Sequence, residues 1–188
     1  PWQSPNKPLA ESRVAIVTTA VPDGSIEKPI RTASSWDIRQ APDRFRTDEL
    51  SWDKETTHTD DRGSYFPLEA LSALADAGVI GALAPRFHFV PTEYSQRNTI
   101  NDDAPKVVQA CIDDEVDIAI LIPLRPVCHQ TVSLTARALE QAGICTVIIG
   151  SALDIVSHCG VPRYLHNNLP LGNPMGKPFD TGMQATTL

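Results

Sequence analysis

Between Asp117 and Gly143 the chain reads "DIAILIPLRPVCHQTVSLTARALEQAG", an apolar run that passes into a helical pattern, with Arg125, Cys128 and His129 at the join. A continuous apolar stretch of this length suits a strand buried on both faces, and apolar residues at three- and four-residue spacing suit the helix that follows. Cys128 then falls in the first helical turn, where free backbone N–H groups and the positive dipole end favour an anion. A thiolate is such an anion, and Arg125 and a protonated His129 would stabilise it further. The chemistry this implies is nucleophilic attack by sulfur, with His129 as a candidate for proton transfer. Adjacent helical residues do not face each other, so His129 need not touch Cys128. The plainer reading is a buried cysteine packed as a small hydrophobe, a common fate of the free thiol.

Other residues extend the constellation. His58 and Asp60 lie in the polar stretch "THTDDRGSYFP", the first as a second proton carrier and the second as a substrate contact; solvated loop charge is the alternative. Arg125 or Arg86 would hold a substrate anion. Thr18 and Thr19, at the end of an apolar run, and Ser151 would bind polar atoms. Cys111 and Cys145 read as core, and His88, between two phenylalanines, as a packed or turn residue. His158 and Cys159 repeat the His/Cys adjacency, but the spacings of His58, Asp60, Cys128, His129, His158 and Cys159 match no closed zinc pattern, so no metal is expected. No glycine-rich phosphate loop follows the first strand, and no cofactor is expected.

The elements that must position these residues alternate. Strands are read at "RVAIVTTA", "VIGALAPRFHFVP", "DIAILIPL" and "ICTVIIGS", with helices at "PLEALSALADAG", "DDAPKVVQACIDDEV" (Asp103 as a candidate N-cap), "CHQTVSLTARALEQAG" and around 152–157. Residues 21–55 show little periodicity beyond short extended pieces near Trp36 and Trp52. The pattern predicts an α/β fold: one three-layer domain over residues 1–188, a mostly parallel four-stranded sheet and helices on both faces. An irregular N-terminal segment and a C-terminal tail complete it, with 1–10 and 179–188 extended or frayed. Ligands in such sheets bind beyond the carboxyl ends of the strands. Thr18, Thr19, 123–129, Gly150 and Ser151 therefore line one crevice.

Composition narrows the partners. The 188 residues are long enough for a real core, and no apolar run reaches the roughly 20 residues of a membrane span. A net charge of −7 with scattered Lys and Arg argues against a nucleic-acid surface and toward a small-molecule substrate or a protein partner. Four cysteines without tight spacing make a disulfide scaffold unexpected and a reducing cytoplasm the expected setting. The first residues, "PWQSPNKPLAES", lack a signal-peptide pattern.

"ESRVAIVTTA", "THTDDRGSYFPLEALSALADAGVIGALAPRF", "DEVDIAILIPLRPVCHQTVSLTARALEQAGICTVIIGSALDI" and "LPLGNPMGKP" together resemble the selenoprotein B family of glycine, betaine, sarcosine and D-proline reductases, over most of residues 11–178. The "PVCHQTV" and "PLGNPMGKP" blocks carry the resemblance; the apolar strands are generic. It implies reductive cleavage of a carbon–heteroatom bond by a selenolate or thiolate, no flavin or nicotinamide in the subunit, and work within multi-subunit complexes. In that family the reactive selenocysteine precedes a cysteine in a U-x-x-C or C-x-x-C arrangement at this junction. Cys128 matches the second member, and Arg125 stands where the first would be. The strand-crevice layout is also similar to the aspartate racemase and maleate isomerase group, an analogy of topology alone.

Three functions are in play. The first is a cysteine-dependent reductase of the selenoprotein B type acting on a small polar, carboxylate-bearing substrate, with a thiol reductant. The second is redox-neutral isomerase, lyase or transferase chemistry through the single Cys128. The third is a non-catalytic binding subunit of a homo- or hetero-oligomer.

Overall fold

The computed structural model describes residues 2–22, 32–47 and 57–188; the expected extended piece at Trp52 lies outside them. The strands are β1 (Arg13–Thr18), β2 (Ser34–Asp37), β3 (Ala82–Leu83), β4 (Arg86–Phe89), β5 (Ile118–Ile122), β6 (Cys145–Gly150) and β7 (Tyr164–His166). The helices are α1 (Leu68–Asp76), α2 (Gln96–Asn98), α3 (Ala104–Asp113), α4 (Pro126–Gln141), α5 (Leu153–Cys159) and α6 (Thr181–Thr187).

One sheet takes all seven strands in the order β2-β4-β1-β5-β6-β7, with β3 also on β1. Every pairing is parallel except β2 with β4. The α/β class and the mostly parallel sheet match expectation, and the strand number does not: seven stand where four were read. The "VIGALAPRFHFVP" run divides at Ala84–Pro85 into β3 and β4. The segment holding Trp36 supplies β2 as an antiparallel edge, and β7 is too short to display a two-residue period.

Alternate residues of β1 feed two cores. Val14 and Ile16 join Phe45, Tyr65, Phe66, Leu71 and Phe87, with Leu68 and Leu74 of α1 packed against them. Ala15 and Val17 join Val107 and Cys111 of α3 and Val132, Ala136 and Leu139 of α4. This is the two-sided burial that reads as an unbroken apolar strand. Cys111 and Cys145 are buried, as core residues would be. Gly78 stops α1 in a left-handed conformation at φ 70°, and Gly143 ends the α4 turn at φ 91°.

Three local expectations are corrected. Asp103 does not cap α3 with its side chain; its carboxylate accepts from the Ala33 amide at 2.8 Å, and helical structure runs back through a π turn (Thr99–Asp103) to α2, capped by Ser95. The N-terminal residues are tied down. The Gln3 amide donates to the Glu140 carboxylate, Arg163 donates to the Gln3 carbonyl, and the Arg163 guanidinium lies 4.8 Å from the Trp2 ring centre. Glu140 is fully buried and bonded by Arg163 at 2.6 Å and by the Thr146 amide at 2.7 Å. The C-terminus is not frayed either. It forms α6, capped by Asp180, and the buried Gln184 donates to the Asp61 carboxylate at 2.6 Å and to the Lys177 carbonyl at 2.8 Å. Hydrogen bonding holds both ends: residues 2–8 carry no helix or strand, within the expected extended or frayed segment, while 181–187 are helical instead.

Among the described residues no helix is long and apolar enough to cross a membrane.

Candidate functional site

The carboxyl ends of β1 and β5 are stitched together by backbone chemistry. Thr19 Oγ1 accepts from the Leu124 amide at 3.2 Å, and Thr18 Oγ1 accepts from the Ala20 amide at 3.0 Å. Both threonines reach the crevice region but are buried and use their hydroxyls to hold turns. Arg125 follows in extended backbone (φ −128°, ψ 168°) as the N-cap of α4, with no side-chain cap bond. Pro126 occupies the first helical position, where its missing N–H costs nothing. Cys128 is therefore the third residue of the helix, which starts two residues earlier than the sequence reading had it and keeps the thiol in the first turn.

The Cys128 thiol is fully buried, with Sγ 3.0 Å from Thr92 Oγ1. Thr92 belongs to the loop after β4, which lies along the first turns of α4: the Glu93 amide donates to Thr131 Oγ1 at 3.3 Å, and Gln130 Nε2 to the Tyr94 carbonyl at 3.4 Å. With the thiol protonated either partner donates; with a thiolate only the Thr92 hydroxyl can. All four cysteines are free.

His129 faces another wall. Its Nδ1 lies 2.7 Å from the Arg125 carbonyl oxygen, which can only accept, so Nδ1 carries the proton. Nε2 then accepts from the amides of Ser151 and Ala152, each at 3.3 Å. Burial pushes the imidazole below its ordinary value, and the neutral ring with this tautomer satisfies all three partners. The close approach requires Gly150: a Cβ there would lie 2.6 Å from Nε2. His129 thus binds α4 to the β6–α5 turn, and Ser151 enters the site through its backbone.

Across the top runs the "PLGNPMGKP" segment. The Gly172 amide donates to the Leu124 carbonyl at 3.0 Å, the Asn167 amide to the Gly150 carbonyl at 3.0 Å, and the Met175 amide to the Ser64 carbonyl at 2.9 Å. Asn173 Nδ2 donates to the His58 carbonyl and to Ser64 Oγ, both at 2.8 Å. His58 is thereby brought to the cover over the β5 end. Its ring is part exposed, 3.5 Å from Asp60 and 5.9 Å between centres from Phe179, and among the described residues no hydrogen bond joins it to Cys128. Asp60 is paired with Arg44 at 2.9 Å.

Arg86 stands apart. It opens β4, at the amino end of the sheet, and grips the Asp114 carboxylate with Nε and Nη2, each at 2.9 Å in its shorter contact. That bidentate pair satisfies the guanidinium. His88, two residues on, is buried, with Nδ1 2.9 Å from Ser35 Oγ, and burial pushes its pKa down to about 4. Among the described residues no group of three or more His, Cys, Asp or Glu is placed to hold a metal.

Sequence reasoning brought Cys128, Arg125, Thr18, Thr19, His129 and Ser151 to one edge, and missed Thr92 and Asn173. Thr92 lies just past a parallel strand's carboxyl end, a position signal that was available. Asn173 sits more than 40 residues from Cys128, and only the folded C-terminal segment places it here.

Comparison with known proteins adds one relationship. No family model matches the chain, and no solved structure matches it. The chain is 26% identical over 189 residues to the D-proline reductase subunit gamma of Acetoanaerobium sticklandii, covering 97% of this chain and 78% of that protein. The likeness is distant and relates the chain to the proline reductase family.

Proposed function

We propose that this chain is a thiol-dependent reductase subunit of the selenoprotein B type, acting on a small carboxylate substrate through Cys128. The single observation that carries the reading is the placement of Cys128 Sγ in the first turn of α4, at the carboxyl end of β5, with the Thr92 hydroxyl on the sulfur. The relationship to a D-proline reductase subunit supports it and makes D-proline the first substrate to test.

In this reading the Cys128 sulfur attacks the carbon bearing the heteroatom; a C–S bond forms, the C–heteroatom bond breaks, and the heteroatom leaves with a proton. An external thiolate then attacks the Cys128 sulfur. The C–S electron pair passes to carbon, which takes a proton, and a mixed disulfide remains for a second thiol to reduce. Arg125 holds the carboxylate and the Thr92 hydroxyl stabilises the sulfur anion. His58 is the proton carrier, because both nitrogens of His129 are committed to backbone. Arg86 has no part. The word subunit in the relative's name favours assembly with other chains.

Arg125 in place of the first thiol of the family pair favours a second reading, redox-neutral chemistry through a covalent thio-adduct at Cys128. The deciding experiment measures ring-opened product from D-proline with and without dithiothreitol, for the native chain and Cys128→Ser. Thiol-dependent turnover lost in Cys128→Ser is the expected result. Full turnover in Cys128→Ser overturns the assignment, and turnover without any thiol selects the redox-neutral reading.

A further inference from the structure

Asn173 presents an acceptor that no group among the described residues uses. The residue is 2% exposed, and its Oδ1 is fully buried with no hydrogen-bond partner among the described residues. A buried amide oxygen left in that state is uncommon, and each such case calls for a reason.

A flipped amide does not resolve it. Nδ2 donates to the His58 carbonyl and to Ser64 Oγ, both at 2.8 Å. The His58 carbonyl can only accept, and the Ser64 hydroxyl proton goes to the Asp61 carbonyl at 2.8 Å, so Ser64 Oγ also accepts here. Exchanging the two amide atoms would set Oδ1 against two acceptors. Its orientation is therefore fixed by those two acceptors, and both Nδ2 protons are spent.

The location is equally specific. Gly172, the preceding residue, donates its amide to the Leu124 carbonyl, and Arg125, the N-cap of α4, comes next in the chain. Pro174, on the other side, is bonded through its carbonyl to Asn167, whose amide holds the Gly150 carbonyl at the end of β6. The orphan acceptor is held in the strap that crosses the carboxyl ends of β5 and β6, over the edge that carries Arg125 and Cys128.

We propose that Asn173 is a substrate-binding residue whose Oδ1 accepts a hydrogen bond from an N–H or O–H group of the ligand. This rests on the reading of the crevice given above and deepens it. The substrate class narrows to small carboxylates that also carry a hydrogen-bond donor, with Arg125 facing the negative group and Asn173 the donor. A site built around a fixed acceptor rejects an isostere that lacks the donor, because the acceptor is then left buried and unpaired.

Two probes of nearly the same shape test it: D-proline, and cyclopentanecarboxylate, in which a CH2 replaces the ring nitrogen. Binding of each is measured by isothermal titration calorimetry to the native chain, Asn173→Ala and Ser64→Ala. The expected result is that the native chain binds D-proline at least about tenfold more tightly than cyclopentanecarboxylate. Asn173→Ala removes that preference, whereas Ser64→Ala, which keeps Oδ1, retains it. A loss of strap structure alone would weaken both probes by the same factor and leave the preference intact. Equal binding of the two probes to the native chain, or a preference that survives in Asn173→Ala, overturns the assignment of Asn173. Neither outcome touches the role of Cys128, which stands or falls by the Cys128→Ser turnover measurement.

Discussion

Cys128 and His129 are neighbours in the chain and are held by opposite walls of the crevice. The Cys128 sulfur meets Thr92 on the loop after β4, while the His129 ring closes on the Ser151 and Ala152 amides after β6. One hundred degrees of helical rotation separates the two side chains. The pair is therefore not a nucleophile with its base. It is a buried thiol beside a clasp, and the two halves make separable predictions.

Thr92→Val removes the Thr92 hydroxyl from the Cys128 sulfur while keeping the shape. A hydrogen bond to a charged group is worth about 1.5–3 kcal/mol. Alkylation of Cys128 by iodoacetamide, followed by mass spectrometry, should change by at least tenfold, with thermal stability altered by less than about 1 kcal/mol. An unchanged labelling rate at Cys128 would show that the contact does not act on the sulfur.

The clasp is tested by steric conflict. Gly150→Ala places a methyl 2.6 Å from His129 Nε2, closer than a real Cβ contact, and should destabilise the fold by about 2–3 kcal/mol. In a His129→Ala background the same change should cost markedly less, since the clashing ring is gone. Chemical denaturation of the four proteins gives the coupling, and additive effects would refute the clasp.

His88 sets an acid limit on stability. Its pKa is pushed from 6.5 to about 4 in the folded chain, chiefly by burial; Asp114 pulls it up and Arg86 pulls it down by smaller amounts. A depressed histidine pKa means that the unfolded chain binds the proton first. Stability should therefore fall as pH drops from about 6.5 to 4, by about 2–3 kcal/mol from this residue. His129, also pushed down, adds to the slope in the same direction. Replacing His88 by Asn should flatten the pH dependence of urea unfolding over that window, and an unchanged slope would place the proton uptake elsewhere.

The order of strands and helices was legible because continuous apolar runs can be buried only between two layers, and because Gly78 and Gly143 terminate helices by conformation that other residues resist. Cys128 was legible for the same reason: a strand-to-helix join in a parallel sheet puts its residues at the carboxyl edge whatever the partners. The extended piece at Trp36 was legible, but its place as the antiparallel edge β2 was not, and neither was β7, since so short a strand carries no period and is recognised only by the neighbour it bonds.

What the sequence by itself determined, then, is the α/β frame and the one edge where Arg125, Cys128 and His129 must lie, because backbone period and helix polarity are local properties. Only the tertiary structure decided what each of those side chains contacts. It turned His129 to backbone amides, drew Arg86 to Asp114 at the far end of its strand, and carried Asn173 and His58 over the crevice through contacts more than 100 residues apart. Hydrogen-bond partners at that separation are chosen by packing, and no local pattern records them.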